Sequence, residues 1–574
     1  MNTALLSRRG MLALGLSALP AALFFDIAGA ADAPGRPSYK SSLAALDRFI
    51  EGYRAAMNAP GLTLAVADTQ GPIRIASYGH VDKAAKSPVL TSHLFEIGSI
   101  TKSFVALIVL QMHEEGKIDL QAPIRDRLPW LAMQDDFGEI LIHHLLTHSS
   151  GMPEDAPLFP SDPGRRPRQA FKPGSQFHYS NWGFDVLGHL IETVDRRSWP
   201  AALSARILKP IGMDDTAPVI TSDVRPRIAR SYVPLHDDRP YPRHGPMVPA
   251  GNLAVEFAAG SIASTPQDMA SYMRMILNRG AISGGRIISE ESFKLFSTAH
   301  IAAPPFGPSA GYGYGIAVDS FDGHVRLRHT GGMVSFMSAM QLDLDAGTAA
   351  FASINAQLGY RPNPVAQFAL QVLRSASTHA PVPPLPPFDE SEKVDLAQSF
   401  AGTYIHADGR RLEVAAHSNS LEFIAGDRRI PLQQSDTDTF IADQSAFDLF
   451  PVVFERTAAD DPAGKTPPPI VALSHGADWF ARAGHDSGGA LQPSPELAAF
   501  TGEYYSENPW MGTVRIVQRQ RQLWMGGTEP MTPIGNRLFR IGAQASSPEA
   551  AEFSELVDGN YELLWLTGNE FRRT

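Results

Sequence analysis

The stretch FEIGSITKSFVALIVLQMHEEGKIDL, Phe95 to Leu120, sets Ser99 and Lys102 three residues apart at the head of a strongly apolar run. If a helix begins near Ser99, positions i and i+3 share one face and the Lys102 amine can reach the Ser99 hydroxyl. A serine needs a base before it becomes a nucleophile. A lysine can be that base only if its pKa falls, which burial achieves. Val105 to Met112 is nearly all apolar, so the helix should be buried on most sides and supply that environment. Its N-terminus would also offer free backbone N–H groups to an oxyanion. The spacing S-x-x-K alone is weak, because a capping serine and a solvated lysine give the same pattern.

The rest of the chain frames this pair. Its 574 residues suggest three or four domains, and 44% hydrophobic with 19% charged residues is ordinary globular material. A net charge of −11 argues against nucleic acid as a partner, since phosphate neutralisation needs clustered Lys and Arg. There is no cysteine, which removes disulfides, thiol nucleophiles and thiolate metal sites. Residues 1–30 read as a targeting segment. Arg8 and Arg9 precede an apolar run from Gly10 to Phe25, and Ala28-Gly29-Ala30 fits an A-x-A cleavage site. This resembles a twin-arginine export signal and implies a periplasmic mature protein. The apolar run, broken by Gly15 and Pro20, is short for a membrane span, so no stable span is expected once the signal is cleaved.

From residue 40 to about 379 helical and strand-like segments alternate. SSLAALDRFIEGYRAAM has helical period. LTLAVADTQ and IRIASYG read as strands around a Gly-Pro turn, and TPQDMASYMRMILNRG as a helix with a Thr cap and a Gly stop. Ala380 to Glu392 holds five prolines between Pro381 and Pro387 and reads as a stiff linker. Short strands and turns follow. SFAGTY at Ser399 and AFTGEY at Ala499 share F-x-G-x-Y at an offset of one hundred residues. GHDSGGALQPSP, Gly484 to Pro495, separates them. This predicts two small antiparallel barrel-like domains, 393–484 and 496–574, with a second linker at 485–495.

Two distant motifs complete the opening pair. Tyr179-Ser180-Asn181 lies between a Pro-Gly turn and a helix-like run. His329-Thr330-Gly331-Gly332 lies between strand-like segments. Serine with lysine, then Y-x-N, then a basic residue with T-G, in this order, resembles the penicillin-recognising serine hydrolases: class C β-lactamases, D-alanyl-D-alanine carboxypeptidases, D-aminopeptidases and related esterases. HLLTHSSGMP, PGSQFHYSNWG and YGYGIAV share the likeness, which covers roughly residues 40 to 375.

The resemblance implies an α+β catalytic domain, an antiparallel sheet flanked by helices with a helical subdomain. It implies Ser99 as the acylated nucleophile and Lys102 as its base. Tyr179 becomes the partner base or the acid to the leaving group, and Asn181 positions the substrate carbonyl and Lys102. His329 is the basic residue of the third motif and counts among the catalytic residues, with Thr330, Gly331 and Gly332 along the substrate edge. The Ser99 and Gly332 N–H groups form the oxyanion hole. No cofactor and no metal are implied. His329 stands where β-lactamases carry lysine, which points away from an efficient β-lactamase. It points toward a peptidase or amidase of the D-aminopeptidase or carboxypeptidase type. An esterase for small acyl esters and a slow-turnover binder are the alternatives. The expected partner is a small-molecule or peptide substrate; the oligomeric state stays open.

Other features read as decoys. Gly307 to Gly311 matches G-x-S-x-G, but no helix-forming run follows Ser309, so it is not a nucleophile elbow. His143, His144 and His148 lack a zincin-like acidic residue, and His148 is expected near the site in a structural role. Arg326 and Arg328 share a strand face, and Arg328 is a candidate for a substrate carboxylate. The Pro-rich loop from Tyr232 to Asn252 reads equally as a pocket wall or a connector.

Overall fold

A computed structural model describes residues 24–25, 37–134, 136–159, 162, 164–236, 238–251, 256–359, 361–388, 393–457, 467–485 and 492–574. The twin arginine and the cleavage site lie outside these residues, as do 389–392 and 486–491 of the two linkers.

The catalytic half is built on one antiparallel sheet. Its main strands are β1 (Gly61–Asp68), β2 (Gly71–Asp82), β3 (Ala317–Phe321), β4 (His324–Gly332), β5 (Met337–Asp343) and β6 (Thr348–Ile354). They run in the order β2-β1-β6-β5-β4-β3, and short strands extend both edges. β1 and β6 are buried at every position, because helices cover both faces; their sequences accordingly read as apolar runs without alternation. On one face α1 (Lys40–Ala56) and a C-terminal helix, Pro362–Ser377, pack through Phe49 and Phe368. The other face carries the helical subdomain, with α2 (Thr101–Glu114) and α3 (Asn181–Asp195), and also α4 (Pro266–Leu277). Thr265 caps α4 by accepting from the Asp268 N–H, as its sequence predicts.

Both C-terminal domains are closed eight-stranded antiparallel barrels, spanning Gly402 to Arg482 and Gly502 to Arg573. The repeated F-x-G-x-Y is the same corner in each. Phe400 and Phe500 are core residues, and the Tyr404 and Tyr504 hydroxyls donate to their carbonyls at 2.7 and 3.1 Å. Gly402 and Gly502 both sit at φ 152°. That conformation strains an L side chain, so glycine is favoured at each, and a Cβ there would also press on the Arg573 and Arg482 guanidinium groups at 2.8 and 3.1 Å. Arg482 and Arg573 close their barrels by pairing with Tyr404 and Tyr504.

The loop after Tyr232 is a connector between domains. Arg239 reaches Asp448 of the first barrel at 3.0 Å, while Asp238 is paired with Arg515 of the second. Phe388, just inside the proline-rich linker, stacks on Phe49 of α1.

Candidate active site

The first motif begins in a 3-10 turn, Gly98–Ile100, that runs straight into α2. The buried residues of α2 run from Thr101 to Leu110 and include Lys102, so the lysine amine has no bulk water. It donates to Ser99 Oγ at 3.0 Å, to Asn181 Oδ1 at 2.7 Å and to the Ala259 carbonyl at 2.9 Å. Burial pushes the Lys102 pKa down, opposed by the charges of Asp185, Asp155 and Glu154. A lysine held this way is favoured toward its neutral form, beside a serine hydroxyl.

Asn181 opens α3, and Ser180 caps the helix by accepting from the Gly183 N–H at 3.0 Å. The Tyr179 ring lies beneath the Lys102 amine, 4.9 Å from its centroid. His148 organises this turn. Its Nδ1 accepts from the Ser180 N–H at 3.0 Å, its carbonyl accepts from the His178 N–H at 2.8 Å, and its ring lies 4.2 Å from that of Tyr179.

The third motif arrives on β4. A Cβ at Gly331 would fall 1.8 Å from the Ile97 carbonyl oxygen, so only glycine lets this strand press against the turn that carries Ser99. Gly332 and Ser99 line one cavity of about 330 Å³. Asn181 lines it too, with Asp155 and Asp185 beside it and Phe257 and Met333 among the apolar walls. The second barrel supplies the remaining wall: Asn508, Trp510, Met511 and Asn569. A larger hollow of about 880 Å³ around Phe500 and Tyr561, on the second barrel, contains no residue of the Ser99, Tyr179 or His329 motifs.

Two expectations change here. His329 was expected among the catalytic residues, but it is 2% exposed. Its Nε2 pairs with the Tyr312 hydroxyl at 2.8 Å and its Nδ1 with the Thr330 carbonyl at 2.6 Å. Burial, aided by the Lys102 and Arg328 charges, holds its pKa down at about 3, so the ring is neutral and fixed. Arg328 was expected to meet a substrate carboxylate. Its Nε instead pairs with Asp319 at 2.7 Å and its terminal nitrogen with the Phe306 carbonyl. Arg326, on the same face, forks onto Asp319 as well. Of the residues named from sequence, Ser99, Asn181 and Gly332 line the cavity, Lys102 bonds Ser99 Oγ with Tyr179 beneath its amine, and His329, Thr330, Gly331 and Arg328 do not line it.

The decoys resolve by their partners. Ser309 sits in a turn between a 3-10 segment and a short strand. His143 bonds the Tyr314 hydroxyl at 2.9 Å, and His144 accepts from the Leu141 N–H at 3.1 Å at a helix start.

Sequence reasoning missed Asp155 and Asp185. Asp185 is four residues after Asn181 on one helix face, a spacing that could have found it. Burial pushes both carboxyls up, and Glu154 to about 7. Asp155 accepts from Asn181 Nδ2 at 3.3 Å, which fixes the Asn181 carbonyl toward Lys102.

Residues 46–372 match the model of the beta-lactamase family, more than half of the chain. The chain belongs to the beta-lactamase family. This family member is a serine hydrolase. It is similar to penicillin-binding protein 4 of Amycolatopsis lactamdurans, 26% identical over 314 residues, which cover 51% of this chain and 80% of that protein. Esterase EstB of Burkholderia gladioli is 33% identical over 216 residues, 32% of this chain and 54% of the esterase. In fold it resembles an octameric penicillin-binding protein homologue from Pyrococcus abyssi, with a TM-score of 0.54 and 24% identity over 77% of this chain and all of that one. No helix among the described residues is long and apolar enough to cross a membrane.

Proposed function

We propose that this beta-lactamase-family hydrolase is a peptidase or amidase of the D-aminopeptidase or D-Ala-D-Ala carboxypeptidase type that works through an acyl-enzyme on Ser99. The observation that carries this reading is the fully buried Lys102 amine, 3.0 Å from Ser99 Oγ and oriented by Asn181. Neutral Lys102 takes the Ser99 proton as Oγ attacks the substrate carbonyl carbon. The Ser99 and Gly332 N–H groups hold the resulting oxyanion. Tyr179 returns a proton to the leaving nitrogen as its bond to carbon breaks. The Tyr179 phenolate then takes a proton from water as it attacks the acyl carbon, and Lys102 returns its proton to Ser99 Oγ as the ester bond breaks, which frees Ser99 and restores both groups.

The charge of the cavity favours the aminopeptidase arm. Asp155 and Asp185 line it, whereas Arg328 is spent on Asp319. Burial favours the neutral form of Asp155 and Asp185, but a substrate ammonium beside them draws them back to the carboxylate, whereas a substrate carboxylate raises their pKa further. The preference for D-residues rests on the resemblance to D-aminopeptidases, which share the two-barrel architecture.

The test is kcat/KM on matched D- and L-aminoacyl p-nitroanilides and short-chain p-nitrophenyl esters, with Ser99→Ala alongside. Amide turnover that favours D-substrates and disappears in the variant is the expected result. Activity that survives in Ser99→Ala sinks the mechanism. Ester turnover alone would establish the second reading, a carboxylesterase, which the 33% identity to EstB supports. The twin arginine supports export to the periplasm. Replacing Arg8 and Arg9 with lysine should retain the protein in the cytoplasmic fraction.

A further inference from the structure

We propose that Glu549 of the second barrel is a positioning residue for the acyl-transfer site, holding the Tyr179–Asn181 turn and the Glu154–Asp155 segment in place against Ser99. The proposal rests on the reading that Tyr179 and Asn181 serve Ser99.

A single carboxylate oxygen makes both contacts. Glu549 Oε1 accepts from the Glu154 backbone N–H at 2.7 Å and meets His178 Nε2 at 3.2 Å. Its other oxygen accepts from the Thr567 hydroxyl at 2.9 Å, and its own carbonyl accepts from the Ile541 N–H at 2.9 Å. The carboxylate is therefore fixed to the barrel from behind.

Its two targets are already joined. Ser180 Oγ donates to the Pro153 carbonyl at 2.6 Å, and the Trp182 N–H donates to the Glu154 carbonyl at 3.1 Å. Each target is one residue from the chemistry. Tyr179, under the Lys102 amine, follows His178. Asp155, which holds Asn181, follows Glu154. A shift at Glu549 thus reaches Tyr179 and Asp155 through one peptide unit each, and through Asp155 the Asn181 amide that Lys102 bonds.

The pair itself is weak glue. The His178 and Glu549 side chains keep 24% and 25% of their exposure, and ion pairs this open add little stability. Other contacts dock the barrel here: Arg165 pairs with Glu552 at 2.7 Å and lies 4.6 Å over the Trp565 ring. What Glu549 adds is alignment, and misplacement by about 1 Å can cost about a hundredfold in rate.

The test compares Glu549→Ala, Glu549→Gln and Glu552→Gln in the full chain. Hydrogen exchange is followed at residues 150–158 and 176–183, and kcat and KM are measured separately. Glu549→Ala should speed exchange at both segments and lower kcat about tenfold with KM nearly unchanged, the pattern of lost alignment. Glu549→Gln keeps an acceptor for the Glu154 N–H and should recover most of both. Glu552→Gln, which breaks a neighbouring ion pair across the same interface, should leave both at the wild-type level. Wild-type exchange in Glu549→Ala overturns the proposal, as does an equal loss in Glu552→Gln. Failure of the acyl-enzyme reading looks different: wild-type protein without Ser99-dependent turnover. Exchange then decides the positioning claim alone.

Discussion

The two barrels share a corner and differ in the loop of their first hairpin. Phenylalanine, glycine, tyrosine and a closing arginine occupy matching places in both, with the same glycine φ and the same tyrosine-to-carbonyl bond. Their first hairpins diverge. In the first barrel residues 407–410 turn tightly between Gly402–His406 and Arg411–His417. In the second the longer loop 506–512 joins Gly502–Tyr505 to Thr513–Arg519 and carries Asn508, Trp510 and Met511 to the catalytic cavity. Among the described residues no first-barrel residue lines that cavity. The duplicated residues make the barrel; the unmatched ones decide what the barrel does.

Four measurements test this contrast. Ser99→Ala sets the floor against which either barrel is judged. It should lower kcat/KM at least about a thousandfold, by analogy with loss of a serine nucleophile, and should abolish a covalent mass shift with a fluorophosphonate. If the loss is small, the cavity is not the site and the contrast loses its meaning.

Trp510→Ala should raise KM about tenfold or more, since a wall that buries an aromatic side chain is worth roughly 1.5–3 kcal/mol. Asp408→Ala in the matching first-barrel loop should change neither kcat nor KM. Equal effects would erase the functional difference between the barrels.

Trp510 also covers a small hollow beside the 6% exposed Glu96. Burial raises the Glu96 carboxyl to about 7, so the folded protein binds a proton that the unfolded chain has released by about pH 4.5. The stability this group contributes is full below that value and is lost as pH rises through about 7. Glu96→Gln should therefore leave stability nearly unchanged near pH 4 and raise it by about 3 kcal/mol at pH 8, measured by urea unfolding. A gain that is constant with pH would contradict the buried acid.

The smallest effect concerns the shared corner. Tyr404→Phe and Tyr504→Phe should each destabilise their own barrel by about 1 kcal/mol, the value of one buried hydrogen bond. Very different losses would show that the two corners are alike in shape and unlike in energetics.

These contrasts mark what the sequence could convey. The Ser99–Lys102 pair and Asn181 were legible because local spacing and motif order constrain them. The barrels were legible because glycine and tyrosine recur where the fold needs them. Arg328 misled because its partner, Asp319, lies across a strand pair, and no spacing rule reports which cation a carboxylate will choose. His329 misled for the same reason: Tyr312, seventeen residues away, takes its Nε2. Trp510 and Met511 carried no signal, since a cavity wall assembled from another domain leaves no period or motif in its own segment.

That division of the cavity has a consequence for timing. A ribosome releases Ser99, Lys102 and the Tyr179–Asn181 turn long before residues 506–512 and Asn569. Domains generally fold as units in the order they emerge, so the catalytic sheet and its helices can form while one wall of the pocket is still unmade. Until that wall arrives the nucleophile faces an open cleft, and selectivity is among the last properties the growing chain acquires.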